Sequence, residues 1–455
     1  MPAQTILTPN PYELTSDKVR MPPSRLRDRL RFLGPGFILS ASIVGSGELI
    51  ATTRLGAEAG FITFWVILVS CLVKVAVQVE FGKYAIYSGK TTMQGLNGLP
   101  GPRLGKTNWT IWTWLALMIF KMMQVGGIVG GTALVLTLVF PGVPLAVWCF
   151  GTAATVSLII YRGSYAPVEK LSMVMIGIFT LVTVFSVWAV QFTPFQFSAG
   201  ELLSGLSFQL PPEVVFVAIG AFGITGVGGD EIMAYNYWLI EKGYAAYTGP
   251  YEATPEWRRR AKGWTRVMVL DAFAAMVVYT IMTAAFYLLG ATILHRQGIL
   301  PEGMQLVETL SQLYTRSLGD WAGTLFLAGA FTVLYSTLFG ALAIWTRLFS
   351  DAFSELGWLD FKNVDQRRRL IAWLAWTIPL IWAVLFLVMR TPAFMVAIGG
   401  VATTVILLIV VFAVIHFRYR RTPAELRPGR LYDVILWISI VSIVLVAAYG
   451  IYSIS

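Results

Sequence analysis

Beyond its first thirty-three residues, the chain is written as long apolar runs separated by short polar ones. A span needs roughly 20 consecutive apolar residues to cross a bilayer, and eleven runs qualify. They fall at about 34–59, 61–88, 109–139, 144–161, 168–191, 213–240, 266–293, 321–350, 368–389, 394–417 and 433–453. The pattern predicts an all-α polytopic membrane protein with eleven transmembrane helices. The long runs at 61–88 and 109–139 are expected to tilt or to extend beyond the bilayer.

Two of these runs carry residues that suit neither a helix nor lipid. The run from Gly34 to Phe61 contains Gly45-Ser46-Gly47-Glu48, two glycines and a serine beside a carboxylate at mid-span. The run from Val214 to Ile240 contains Gly226-Val227-Gly228-Gly229-Asp230-Glu231. Glycine weakens a helix and a carboxylate in hydrocarbon is costly, so both helices are expected to unwind there. The second break lies five spans after the first, and an odd spacing makes the two spans cross in opposite senses. That is the signature of an inverted repeat with two discontinuous helices meeting near the midplane. The chain then divides into an N-terminal segment (1–33), a first repeat of five spans (34–191), a second (213–417) and an extra eleventh span (432–453). The substrate site is expected between Gly45, Ser46, Gly47 and Glu48 on one side and Gly226, Val227, Gly228, Gly229, Asp230 and Glu231 on the other.

Charge fixes the expected orientation. Of 34 Lys and Arg residues, 28 fall in segments on the N-terminal side of the bundle and three, Arg296, Arg316 and Arg390, on the other side. By the positive-inside rule the N-terminus is cytoplasmic, the C-terminus lies outside and the protein sits in the cell membrane. The same loop charge accounts for the net charge of +10 without nucleic acid. A composition of 56% hydrophobic and 13% charged residues, with a mean hydropathy of +0.70, agrees with a membrane-embedded chain. No secretory signal peptide is evident in the polar, proline-rich start.

Inventory excludes several chemistries. Two cysteines, Cys71 and Cys149, and two histidines, His295 and His416, support neither a disulfide framework nor a soft-ligand metal cage. With no nucleophile beside a base and no phosphate loop, an enzyme is not expected, and no cofactor is implied. Pro301 to Arg316 places Leu306, Leu310 and Leu313 at helical spacing, which reads as a short amphipathic helix on the outer surface.

Ionisable residues within spans are functional suspects that compete with structural ion pairs. Glu48 adjoins freed backbone carbonyls, an oxygen-rich setting for a hard cation; the alternative is a carboxylate capping the half-helix that follows. Asp230 and Glu231 carry the same ambiguity. Arg54 and Glu58, at i and i+4, can pair on one face. Lys74 and Glu80, six apart, share no face, and each is expected to find its partner on another helix. Lys121 and Gln124, at i and i+3, offer a cation and an amide, either as a tethered charge in place of a coupling ion or as a tie between helices. Arg54, Glu58, Lys121 and Gln124 are therefore coupling or gating candidates. Asp271 reads equally as an interfacial residue or a relay.

These residues also carry a family resemblance. The run GPGFILSASIVGSGELIATTRLGAEAGF is similar to the first transmembrane helix of the Nramp divalent-metal transporters, which opens Gly-Pro-Gly-Phe and breaks at Asp-Pro-Gly-Asn. The likeness continues through WVILVSCLVKVAVQVEFGKYAIYSGKT, YRGSYAPVEKLSMVMIG and LGDWAGTLFLAGAFTVLYSTLFGALA, covering most of the chain from Gly34 to about His416. It implies a LeuT-type fold of five plus five spans, with the first and sixth helices unwound, and a secondary-active metal transporter. The site chemistry departs from the pattern. Gly45, Ser46, Gly47 and Glu48 stand where the family has Asp, Pro, Gly and Asn. Val227, Gly228 and Gly229 stand where it has Met, Pro and His, followed here by Asp230 and Glu231.

Without the thioether, an all-oxygen site of Glu48, Asp230 and Glu231 suits a hard divalent cation such as Mg²⁺, Mn²⁺ or Ca²⁺, with Mg²⁺ or Mn²⁺ the leading expectation. Without the His and the third-helix acids, the groups on which H⁺ coupling would rest are missing. The other reading is a small organic solute, an amino acid or carboxylate, held by bare backbone N–H groups at a half-helix N-terminus and complemented by Lys121.

Overall fold

In the computed structural model the described residues are 10–45, 47–300, 305–318 and 320–454. Ser46 of the first break, residues 301–304 and the side chains of Leu306, Leu310 and Leu313 lie outside them.

The described chain is helical almost throughout. The bundle comprises α1a (Pro35–Ile43) and α1b (Gly47–Ala59), α2 (Phe64–Ser88), α3 (Trp109–Val139), α4 (Leu145–Ile160), α5 (Tyr165–Val190), α6a (Val215–Ile224) and α6b (Gly229–Lys242), α7 (Pro255–Leu289), α8 (Asp320–Glu355), α9 (Val364–Met389), α10 (Pro392–His416) and α11 (Arg430–Ile454). Among the described residues nine helices are long and apolar enough to cross a membrane, and ten if the bent pair α1a and α1b counts as one span. α4, the remaining apolar helix, has 16 residues and is shorter than the others. A helix over Gln305–Leu318 joins α7 to α8 and packs on α8, with Val307 fully buried. A two-stranded hairpin, Arg103–Leu104 with Thr107–Asn108, punctuates the connection from α2 to α3.

The sequence sets these ends locally. α7 starts at Pro255, with the Thr254 hydroxyl accepting from Trp257 N–H, and α3 starts where the Asn108 side chain accepts from Thr110 N–H. α2 stops at Gly89, whose φ of +63° only glycine adopts at little cost. The opening of α1a is capped from afar: Asp271 on α7 accepts from Gly34 N–H at 2.8 Å and Gly36 N–H at 2.6 Å, and from the Tyr235 hydroxyl at 2.9 Å. Asp271 is fully buried and ties three helices together at an N-terminus.

Inside the bundle, α3 packs along α10 and α9, made possible by its small face. A Cβ on Gly127 would stand 3.0 Å from Pro392 O, and one on Gly130 would collide with the Phe386 ring. Large apolar side chains of α5, α9 and α11, among them Leu181, Val388 and Leu445, are exposed, as expected of surfaces that face lipid. At the end that carries the N-terminal segment, polar networks replace lipid. Arg347 reaches Glu241 with two nitrogens, at 2.6 and 2.9 Å, and the Tyr12 hydroxyl donates to the same carboxylate.

Candidate functional site

The two breaks meet. α1a ends at Ile43, Val44 turns extended (ψ +91°), and α1b leaves at an angle of 48° to it. α6a ends at Ile224, Thr225 is extended (ψ +148°), Gly226 adopts φ +64°, and the helix resumes at Gly229. A Cβ on Gly47 would stand 2.4 Å from Cγ2 of Ile224, so only a bare backbone lets the start of α1b touch the end of α6a. Gly45 is equally constrained, with Thr337 of α8 filling the space a side chain would need.

Glu48 lies at this junction and is fully buried. Its Oε2 accepts from Gly45 N–H at 3.0 Å, its Oε1 lies 3.4 Å from the Thr283 hydroxyl, and Gly226 N–H of the other break also faces it. The carboxylate thus caps its own half-helix, as one of the two sequence readings has it, and spans from one break to the other. Among the described residues it forms no ion pair.

The carbonyls freed at the end of α6a are taken by a lysine from α2. Lys74 Nζ donates to Phe222 O at 2.5 Å and Thr225 O at 2.8 Å, with Gly223 O at 3.3 Å. Ser70, one turn earlier, donates to Phe222 O at 2.9 Å and to Thr225 O at 3.1 Å. A helix C-terminus gathers unsatisfied carbonyls and partial negative charge; a buried ammonium answers both. Sequence reasoning set Lys74 beside Glu80 as residues in need of distant partners, and only half of that holds. Glu80 pairs within its own helix, 2.5 Å from Lys83, because i and i+3 share a face. The usable signal for Lys74 was Ser70 at i−4, which puts a hydroxyl and an ammonium on one stripe of an apolar span.

On the far side of the break a second lysine is engaged. Lys121 Nζ of α3 lies 3.1 Å from Asp230 Oδ1 at the start of α6b and donates to the Thr403 hydroxyl of α10 at 2.9 Å. Trp345 Nε1 of α8 lies 3.2 Å from the other Asp230 oxygen. Both charged groups are buried, so this ties four helices, α3, α6b, α8 and α10, and also sets a fixed charge at the break. Gln124 does not join it, and its Oε1 is buried without a hydrogen-bond partner. The Glu231 carboxylate folds back over Gly228, and a Cβ there would stand 2.3 Å from Oε2. Gly229 packs on Ile406, and Val227 is fully buried.

The three carboxylates expected as metal ligands are therefore not gathered into one cluster. Among the described residues no group of three or more His, Cys, Asp or Glu side chains could hold a metal ion. Asp230 is drawn off by Lys121, whose ammonium supplies the charge that a metal would otherwise bring. Among the described residues, Glu48 and Glu231 have no cation within salt-bridge distance. Arg54 and Glu58 pair at 2.7 Å, with Arg54 half exposed at the end of its span.

A family model described as natural resistance-associated macrophage protein-like, Nramp, matches residues 36–453. A divalent metal cation transporter, MntH, of Brucella suis biovar 1 (strain 1330) is 25% identical over 281 residues. The matched stretch covers 60% of this chain and 57% of the relative, so the chain spans less than two thirds of that curated relative's length. A solved variant of the Eremococcus coleocola manganese transporter superposes with a TM-score of 0.66 at 13% identity, over 97% of this chain and 91% of that one. The structure of MhsT in complex with L-phenylalanine superposes with a TM-score of 0.55 at 15% identity, over 95% and 99%. At such identities these two likenesses speak to the fold alone.

Proposed function

The chain belongs to the Nramp family, and from that premise we propose that it is a secondary-active transporter that carries a hard divalent cation, Mg²⁺ or Mn²⁺, by alternating access. The relative from Brucella suis, a divalent metal cation transporter, supports the class of cargo. The observation that carries the reading is Glu48, a fully buried carboxylate at the junction of two interrupted spans that forms no ion pair among the described residues. An unpaired carboxylate in a dry interior is costly, and a passing divalent ion would complete it. Glu231 is the second carboxylate available, and Asp230 serves as the anchor of Lys121 rather than as a free ligand. Residues 34–191 and 213–417 act as the two inverted repeats that rock around this point. The N-terminus lies in the cytoplasm and the C-terminus outside, in line with the basic-residue asymmetry. H⁺ coupling forms no part of the proposal, because no acidic side chain takes the place of the family's third-helix acids.

One observation favours a second reading. Two ammonium groups, Lys74 and Lys121, stand fixed at the two sides of the second break. Fixed cations complement a carboxylate, so a small organic solute such as an amino acid is the alternative cargo.

Purified protein in proteoliposomes tests both. The parent takes up Mn²⁺ or Mg²⁺ and is thermally stabilised by it, since a ligand of the folded state raises stability. Glu48→Gln binds the ion about tenfold or more weakly, from ~1.5–3 kcal/mol for a contact to a charged group. A folded Glu48→Gln that binds and moves both ions as the parent does removes Glu48 as a ligand. Stabilisation by amino acids and by no divalent ion establishes the organic cargo instead.

A further inference from the structure

A groove of about 740 Å³ opens on the outside of the bundle between α2, α7 and α11, and no residue of either break lines it. It lies at the end that carries the N-terminal segment, where Trp264 of α7 donates from Nε1 to Arg20 O. Its lining is graded along the helix axes. On α2, Leu72 and Val75 lie deep and Tyr87 lies at the mouth, about 22 Å away at 1.5 Å per residue. On α7, Phe273 and Met276 lie deep, and Arg266 and Lys262 at the mouth. The antiparallel helices thus agree on which end is apolar and which is basic. Half a bilayer, headgroup included, is about 20 Å thick.

The charge at the mouth is not satisfied by the protein. Lys262 and Arg266 stand one turn apart on α7; both are exposed, and neither has a hydrogen bond or ion pair among the described residues. Arg427 is held by Thr422 O and Tyr419 O, each at 3.2 Å, which fixes its guanidinium without neutralising it. Glu425, the acid in the lining, is engaged by Arg258 at 3.7 Å. Lys83 is already bound to Glu80 at 2.5 Å and lies 3.7 Å above the Tyr432 ring, so it makes a wall rather than a free charge.

We propose that this groove binds one phospholipid with an anionic headgroup, its phosphate end held by Lys262, Arg266 and Arg427 and its acyl chains laid along Leu72, Val75, Phe273 and Met276. A free anion would use the basic mouth and leave the apolar depth empty. A zwitterionic lipid would fill the depth but bring no net negative charge to the three basic side chains at the mouth. Basic pockets between spans at a membrane surface recognise anionic headgroups on these grounds.

The test uses the full chain in neutral detergent, titrated with phosphatidylglycerol, phosphatidylcholine or glycerol phosphate, and read by thermal shift and native mass spectrometry. Phosphatidylglycerol is expected to bind and stabilise the parent, while phosphatidylcholine and glycerol phosphate have little effect. The double variant Lys262→Glu, Arg266→Glu is expected to lose at least about 25-fold in phosphatidylglycerol affinity, from about fivefold per positive charge removed plus the repulsion of the two new carboxylates. Its melting point without lipid should match the parent's, because both side chains are exposed; the milder Lys262→Gln, Arg266→Gln serves if it does not. Equal stabilisation by the two lipids, or unchanged phosphatidylglycerol affinity in the variant, overturns the proposal. Glycerol phosphate stabilising as well as phosphatidylglycerol also overturns it, by showing a site for a soluble phosphate ester.

Discussion

Replacing Lys121 by Met keeps the length of the side chain and removes its charge, leaving the buried Asp230 hydrogen-bonded to Trp345 Nε1 but without its ammonium. At 3.1 Å the pair attracts by about 5 kcal/mol in an effective dielectric of 20. Breaking one partner of a buried pair costs about 3–5 kcal/mol, a loss that a stranded carboxylate limits by taking up a proton. At ~2.1 cal/mol/K per residue, a chain of 455 residues unfolds with an entropy of about 1 kcal/mol/K, so the melting point should fall by roughly 3–5 °C. The assay is a double-mutant cycle by thermal unfolding in detergent: Lys121→Met, Asp230→Asn and the two together. With both charges gone no ion is stranded, so the double variant should recover most of the loss. Lys121→Met should also release Asp230 toward the break and increase the stabilisation given by Mn²⁺. An unchanged melting point in Lys121→Met, or a double variant whose loss equals the sum of the singles, would refute the assignment of the pair as a tie between α3 and α6b.

Two further outcomes follow from the same geometry. Lys74→Met strips the ammonium from Phe222 O, Gly223 O and Thr225 O, and Ser70 can satisfy only part of what is left. Its melting point should fall by a few degrees, at about 1–3 kcal/mol per unsatisfied buried group, and added Na⁺ should restore more than choline does; indifference to the cation would show that the carbonyls need none. Asp271→Asn keeps the shape of the cap but weakens its acceptance from Gly34 and Gly36 N–H by about 1–2 kcal/mol. Hydrogen exchange should then quicken at the start of α1a and not in α10, and uniform protection along α1a would remove Asp271 as its cap.

The sequence alone determined most of what is local. Apolar length gave the spans, the glycine clusters marked where helices α1 and α6 are interrupted, and i to i+4 spacing gave the Arg54–Glu58 pair. These signals lie within one or two helical turns, so they survive without knowledge of neighbours. Against the eleven spans expected, nine helices among the described residues, or ten with the bent pair as one, are long and apolar enough to cross, and α4's 16 residues are too few to mark a crossing by length. What only the tertiary structure decided is who meets whom. Lys74 finds carbonyls 148 to 151 residues away, Lys121 crosses to Asp230, and Asp271 caps a helix 235 to 237 residues before it. A hydrophobic pattern says that a side chain is buried, but the low dielectric only demands that a buried charge find some partner. The packing of helices far apart in the chain selects which one, and here it gave Asp230 to a lysine and Glu48 to the Gly45 N–H and the Thr283 hydroxyl.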